Sequence, residues 1–143
     1  MRKSWQFLPK ILSGEKTIES RWYRTKRTPW GQVKPGDTIY FKNSGAPVTV
    51  QAQVRKVLQY QELTPRKILT ILRRFGRDNG IGPKEIPLFY KLFKNKRYCL
   101  LIFLENPRQI TPFKIKKSGF SAMSAWISVK NINMLKLGYA QGI

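Results

Sequence analysis

Lys16, Glu19 and Arg21 follow a glycine at spacings of three and two residues, in the stretch Gly14-Glu15-Lys16-Thr17-Ile18-Glu19-Ser20-Arg21-Trp22. A lysine withdrawn from water can act as a base or nucleophile, a glutamate can shuttle its proton, and an arginine can hold an anion in a planar fork. As a ligand-reading set, Lys16 and Arg21 would meet a phosphate or a base edge. Glu19 would orient Lys16 or accept a hydrogen bond from an exocyclic amine. The same three residues also suit a plain ion cluster on a strand face, which contributes little when exposed. Few other groups can compete for a chemical role, because the chain has no histidine, one cysteine and seven acids. Without histidine there is no His-based triad, no HExxH zinc site and no two-His metal centre. A second carboxylate for acid–base work could come only from Asp78 or Glu85. Asp78 otherwise reads as a turn former in Arg77-Asp78-Asn79-Gly80, and Glu85 as an acid at a helix N-terminus. With so few carboxylates, neither a protein-only metal cage nor a cofactor is expected.

Around these residues the chain must supply positioning elements. Leu8, Ile11 and Leu12 recur with Trp5 at helical spacing and Ser13-Gly14 follows as a stop, so a short helix ending at Gly14 is predicted, with Pro9 inside it. From Thr17 to Tyr23 the pattern becomes that of a strand. Ile18, Ser20 and Trp22 share one face, Thr17, Glu19, Arg21 and Tyr23 the other, and Lys16 can join the second. Lys34-Pro35-Gly36-Asp37 is a turn before the strand Thr38–Lys42, and Val48, Val50, Ala52 and Val54 alternate with polar residues in a strand extending to Val57. Thr64-Pro65 is an N-cap and first-turn proline for a helix carrying Ile68, Leu69, Leu72 and Phe75 and ending near Gly76. A further helix is predicted over about Lys84 to Lys94. The strand Tyr98–Leu104 follows, then a separate edge strand Ile110–Ile115 marked by its proline, and a last strand Trp126–Val129. Cys99 lies in an apolar run and reads as a small buried hydrophobe.

Twenty-eight basic residues against seven acids give a net charge of +21, and a polyanion is the expected partner because the folded chain otherwise repels itself. Segments 1–36, 63–97 and 98–143 carry most of the excess, whereas 37–62 holds three cations against two acids. Arg24, Lys26 and Arg27 stand beside Tyr23 and Trp30, mixing cations with flat rings as single-stranded nucleic acid requires. Trp30 fits equally well under the loop. Arg66, Lys67, Arg73, Arg74 and Arg77 lie on the helix after Thr64 with almost no acids between them, and Lys116-Lys117 form a basic turn. No apolar run approaches the roughly 18 residues that cross a bilayer, and the first residues lack the apolar core of a signal peptide. A soluble, cytoplasmic protein with no membrane partner is expected.

The pattern Gly14-x-Lys16-x-x-Glu19-x-Arg21 resembles the GxKxxExR motif of the ASCH domain, the activating-signal-cointegrator homology branch of the PUA-like superfamily. The likeness continues through Val33-x-x-Gly36-Asp37-Thr38-Ile39-Tyr40-Phe41, Val54-x-x-Val57, the strand Tyr98–Leu104 and Ile110-Thr111-Pro112-Phe113. It implies an α+β fold: a small PUA-like pseudo-barrel of about five or six mostly antiparallel strands with flanking helices. One domain would span 1–143, with a basic helical insertion at about 63–97. The resemblance also implies a cleft lined by Lys16, Glu19 and Arg21 and a role with RNA or modified nucleosides. Some family members hydrolyse N4-acetylcytidine, using a lysine, a threonine three residues later and a downstream carboxylate; others are ribonucleases. Lys16 matches that lysine, but Glu19 stands in the threonine's place, which favours RNA reading over that hydrolysis. The expected function is RNA binding, with DNA as a second polyanion. The alternatives are a hydrolase of RNA or of a modified nucleoside at the same cleft, and a DNA-binding or ribosome-associated basic protein.

Overall fold

Helix α1 (Phe7–Ser13) starts after Gln6 and stops at Gly14, whose φ of 83° is left-handed and costs glycine nothing. Pro9 is tolerated because it occupies the first turn, where the N–H it lacks would have no helical acceptor. The structure, a computed structural model, describes residues 6–26, 30–114 and the backbone of 126–128. After α1 come strands β1 (Ile18–Tyr23), β2 (Thr38–Lys42) and β3 (Val48–Tyr60), helix α2 (Pro65–Phe75), a 3₁₀ turn (Pro83–Glu85), helix α3 (Ile86–Phe93), and strands β4 (Tyr98–Phe113) and β5 (Trp126–Ser128). One antiparallel sheet runs in the order β1-β4-β3-β2-β5. This is the expected α+β architecture, with its sheet curled into a half-barrel.

The curl has a local cause. The long strands β3 and β4 pair from Val48↔Phe113 to Tyr60↔Cys99, with three register shifts along the way. Each bulge bends its strand and increases the local twist. Val48, Val50, Ala52 and Val54 are buried in alternation as predicted, but at the shift between Val54 and Lys56 the period breaks, and Arg55 and Lys56 are both exposed. The separate edge strand predicted at 110–115 is instead the far end of β4. Strand β1 pairs with Tyr98 to Phe103, and the Leu104 amide donates to Thr17 O (2.8 Å); beyond it, among the described residues, β4 has β3 on one side alone, so Pro107 and Pro112 break no second ladder.

Helix α2 is capped by Thr64, whose Oγ1 accepts the Lys67 N–H at 3.3 Å. It buries Ile68, Ile71 and Leu72, while Leu69 and Phe75 are half-buried. Each fully buried aliphatic side chain contributes about 1.5–3 kcal/mol. Helix α3 starts two residues later than predicted, because Pro83 and Glu85 first form the 3₁₀ turn. A row of rings joins α1, α3 and β1: Phe7–Phe89 (6.4 Å between centroids), Phe89–Phe93 (5.9 Å) and Phe93–Trp22 (4.7 Å, nearly parallel). Cys99 is fully buried, and burial pushes its thiol pKa well up. No helix among the described residues is long and apolar enough to cross a membrane.

Candidate functional site

The segment leading into β1 is held by the turn that follows α2. Within the turn, Asn79 N–H donates to Phe75 O (3.0 Å) and Ile81 N–H to Gly76 O (2.7 Å). Three consecutive carbonyls thereby come to serve residues 10–18. Asp78 O accepts from the Thr17 and Ile18 amides (2.7 and 2.9 Å), Asn79 O from Lys16 Nζ (2.8 Å), and Gly80 O from Lys10 Nζ (3.0 Å). Gly80 is dictated twice over. Its φ is +80°, and a Cβ there would lie 3.2 Å from Lys16 Cδ and 3.3 Å from two ring carbons of Phe7.

Lys16 is 1% exposed. Its ammonium has three protons to donate and three acceptors at short range: Ile18 O (2.6 Å), Asn79 O (2.8 Å) and Asn79 Oδ1 (2.6 Å). The Nζ also sits 4.5 Å from the centre of the Phe7 ring. Burial pulls its pKa down to about 8; Glu19 opposes that shift, and Lys10 and Arg21 add to it. The ammonium therefore remains mostly protonated at pH 7. Asn79 continues the network, since its Nδ2 donates to Ser20 Oγ (2.8 Å), which also accepts from Trp22 Nε1 (3.0 Å). Through Asn79, Lys16 is thus tied to Ser20 and Trp22 of β1, while Glu19 and Arg21, the residues it was expected to join, still act on its charge. The carbonyls of the 78–80 turn draw it there.

Glu19 is 7% exposed. Its Oε1 accepts the Ser20 amide (3.1 Å), whereas Oε2 is buried with no hydrogen-bond partner among the described residues. Arg21 is half-buried; burial lowers its pKa, while Glu19 and Tyr23 act in the opposite direction. An ammonium fixed by three acceptors, a carboxylate with one oxygen unsatisfied and a guanidinium two residues on can bind a ligand that brings both a donor and negative charge.

No protein-family model matches the sequence, nor does any curated protein. Solved structures do match. An ASCH protein from Zymomonas mobilis superposes with a TM-score of 0.61 at 17% identity, covering 95% of this chain and 85% of that one. Two mutant proteins of the same ASCH give 0.62 at 16% identity (99% and 91% covered) and 0.61 at 17% identity (96% and 87%). The fold is ASCH-like.

Within this ASCH-like fold the other residues singled out from the sequence are spread over several surfaces. Asp78 touches the motif only through its carbonyl, and its side chain is exposed. Glu85 is exposed, with Oε1 accepting the Gly82 amide at 3.0 Å, the local helix-end role open to it. Trp30 is half-buried, edge-on to Tyr98 at 5.4 Å, and Lys26 Nζ lies 5.8 Å from the same Tyr98 ring. Arg24 is exposed, as are Arg66, Lys67, Arg73, Arg74 and Arg77 along and after α2. Arg27, Lys116 and Lys117 lie outside the described residues. Among the described residues no group of three or more His, Cys, Asp or Glu could hold a metal ion. Sequence reasoning missed Asn79 and Gly80. Their signal was present in the Asn-Gly turn pair, but the neighbouring Asp78 drew attention because it is a titratable group.

Proposed function

We propose that the protein binds RNA through its basic surface, with Glu19 and Arg21 as the base- and phosphate-reading groups and Lys16 as the buried strut beneath them. The disposition of charge carries this reading. The cations along and after α2, and those after β1, are exposed and outnumber the acids near them, and three of the acids are turned onto backbone amides. Asp37 accepts the Lys34 amide (2.9 Å), Glu85 the Gly82 amide and Glu19 the Ser20 amide. A net charge of +21 favours a polyanion, and the Oε2 of Glu19, unsatisfied among the described residues, suits a donor such as an exocyclic amine. A hydrolytic role for Lys16 has less support. All three of its protons are donated to protein acceptors, so no lone pair is directed at a substrate.

The test is binding to a labelled single-stranded RNA over a range of salt. The logarithm of affinity should fall linearly with the logarithm of salt, because each phosphate contact releases counterions. Glu19→Gln should weaken binding without changing that slope. Absence of binding at low salt, or an affinity indifferent to salt, would sink the proposal.

A further inference from the structure

Neighbouring residues in a regular strand point to opposite faces, yet Arg55 and Lys56 reach the same ring. Arg55 Cζ and Lys56 Nζ each lie 5.4 Å from the centre of Phe103, the residue that faces Lys56 across the β3–β4 ladder. The register shift between Val54 and Lys56 makes this geometry, since the extra residue turns both cations outward. Phe103 in turn meets Phe75 of α2 edge-on, at 6.1 Å and 88°, and Arg74 Cζ lies 5.0 Å from the Phe75 ring. Three exposed cations from two distant segments therefore rest on one pair of touching, half-buried rings. Each is within about 11 Å of the Phe103 centre, a limit set by adding the 6.1 and 5.0 Å separations. The nearest acid along the ladder is Glu105, opposite Gln53.

We infer that Arg55, Lys56 and Arg74 form a second RNA contact, separate from Glu19 and Arg21, which grips phosphates of a single strand from an aromatic ledge made by Phe75 and Phe103. The inference rests on the RNA reading above and extends it to residues that the motif does not include. Converging like charges repel one another, and a polyanion relieves that repulsion. The rings add order: a cation held over a ring face gives up less side-chain freedom when it meets a phosphate. The outer face of an arginine's planar guanidinium also remains available to stack on a base, while its N–H edge meets a phosphate. Phe103 acts as a positioning residue, holding two donors at one place that the flat strand would have separated.

The experiment measures anisotropy of a labelled 12-nucleotide oligouridylate with the full chain at 50–300 mM salt. Three phosphate contacts on a single strand predict that the combined variant R55Q/K56Q/R74Q loses about 2 from the slope of log affinity against log salt. A control with the same charge loss at the exposed Lys84, Lys91 and Lys94 should lose less than half as much. Phe103→Leu, checked by circular dichroism for an intact fold, should lower affinity severalfold while leaving the slope unchanged. If the wild-type protein binds and the combined variant matches the control, the inference is overturned while the RNA reading stands. If Phe103→Leu binds like wild type, the ledge has no positioning role and the inference fails in that part. If the wild-type protein does not bind at 50 mM salt, the RNA reading itself falls and takes the second contact with it.

Discussion

Replacing Lys16 by methionine separates a structural strut from a catalytic lysine. The two side chains are similar in length and volume, so the loss is of the charge and its three protons. Three buried acceptors, Ile18 O, Asn79 O and Asn79 Oδ1, would be left without their donor. Each orphaned acceptor costs about 1–3 kcal/mol, so the gross loss is about 6 kcal/mol. Part is returned, because the ammonium is no longer desolvated. The fall of its pKa from 10.5 to about 8 corresponds to about 3 kcal/mol at about 1.4 kcal/mol per unit. The expected net effect is a loss of about 3 kcal/mol. Urea unfolding at pH 7, followed by circular dichroism, should show a lower midpoint with an unchanged dependence on urea. RNA affinity, measured well below the unfolding midpoint, should change little. Unaltered or increased stability would refute the strut argument and return Lys16 to the list of groups kept for chemistry.

Four further outcomes follow from the same geometry. Asn79→Ala removes an acceptor from Lys16 and a donor from Ser20, and should cost about 2–3 kcal/mol in the same unfolding assay. Gly80→Ala must adopt a positive φ and press a methyl against Lys16 and Phe7; a loss of about 2 kcal/mol is expected by thermal or urea unfolding. Selective NMR of the lysine side chains should find Lys16 titrating near pH 8, and Glu19→Gln should move it lower, since Glu19 is the group that holds it up. The sign of the linked stability follows. Between pH 8 and 10.5 the unfolded chain holds more protons at this residue than the folded one, so stability of the wild type relative to Lys16→Met should rise with pH across that window, by about 3 kcal/mol, and be flat below it.

Much of the fold was legible because local rules and global packing agree. The glycine after α1, the Thr64-Pro65 cap of α2 and the valine alternation of β3 each name their element from neighbouring residues alone. The single strand β4 was not legible: Pro112 read as the mark of a separate edge strand, and among the described residues the far end of β4 pairs with β3 alone, which leaves that proline harmless. At the site, the chain order gave Lys16, Glu19 and Arg21 as one cluster. The turn at 78–80, some sixty residues away, draws the lysine's ammonium to the backbone and side-chain oxygens of Asn79, while Glu19 and Arg21 still act on its charge.

By itself, the amino-acid sequence determined the polyanion-seeking charge, the exclusion of histidine chemistry and the presence of a GxKxxExR stretch at the start of a strand. These depend on composition and short spacing, which need no knowledge of what lies across the fold. Tertiary structure alone decided that Lys16 is spent on three acceptors, that one oxygen of Glu19 is not, and that Arg55, Lys56 and Arg74 share an aromatic ledge. Hydrogen-bond satisfaction and charge convergence are properties of what meets in space. In this chain, a turn after α2 and a bulge in β3 set both.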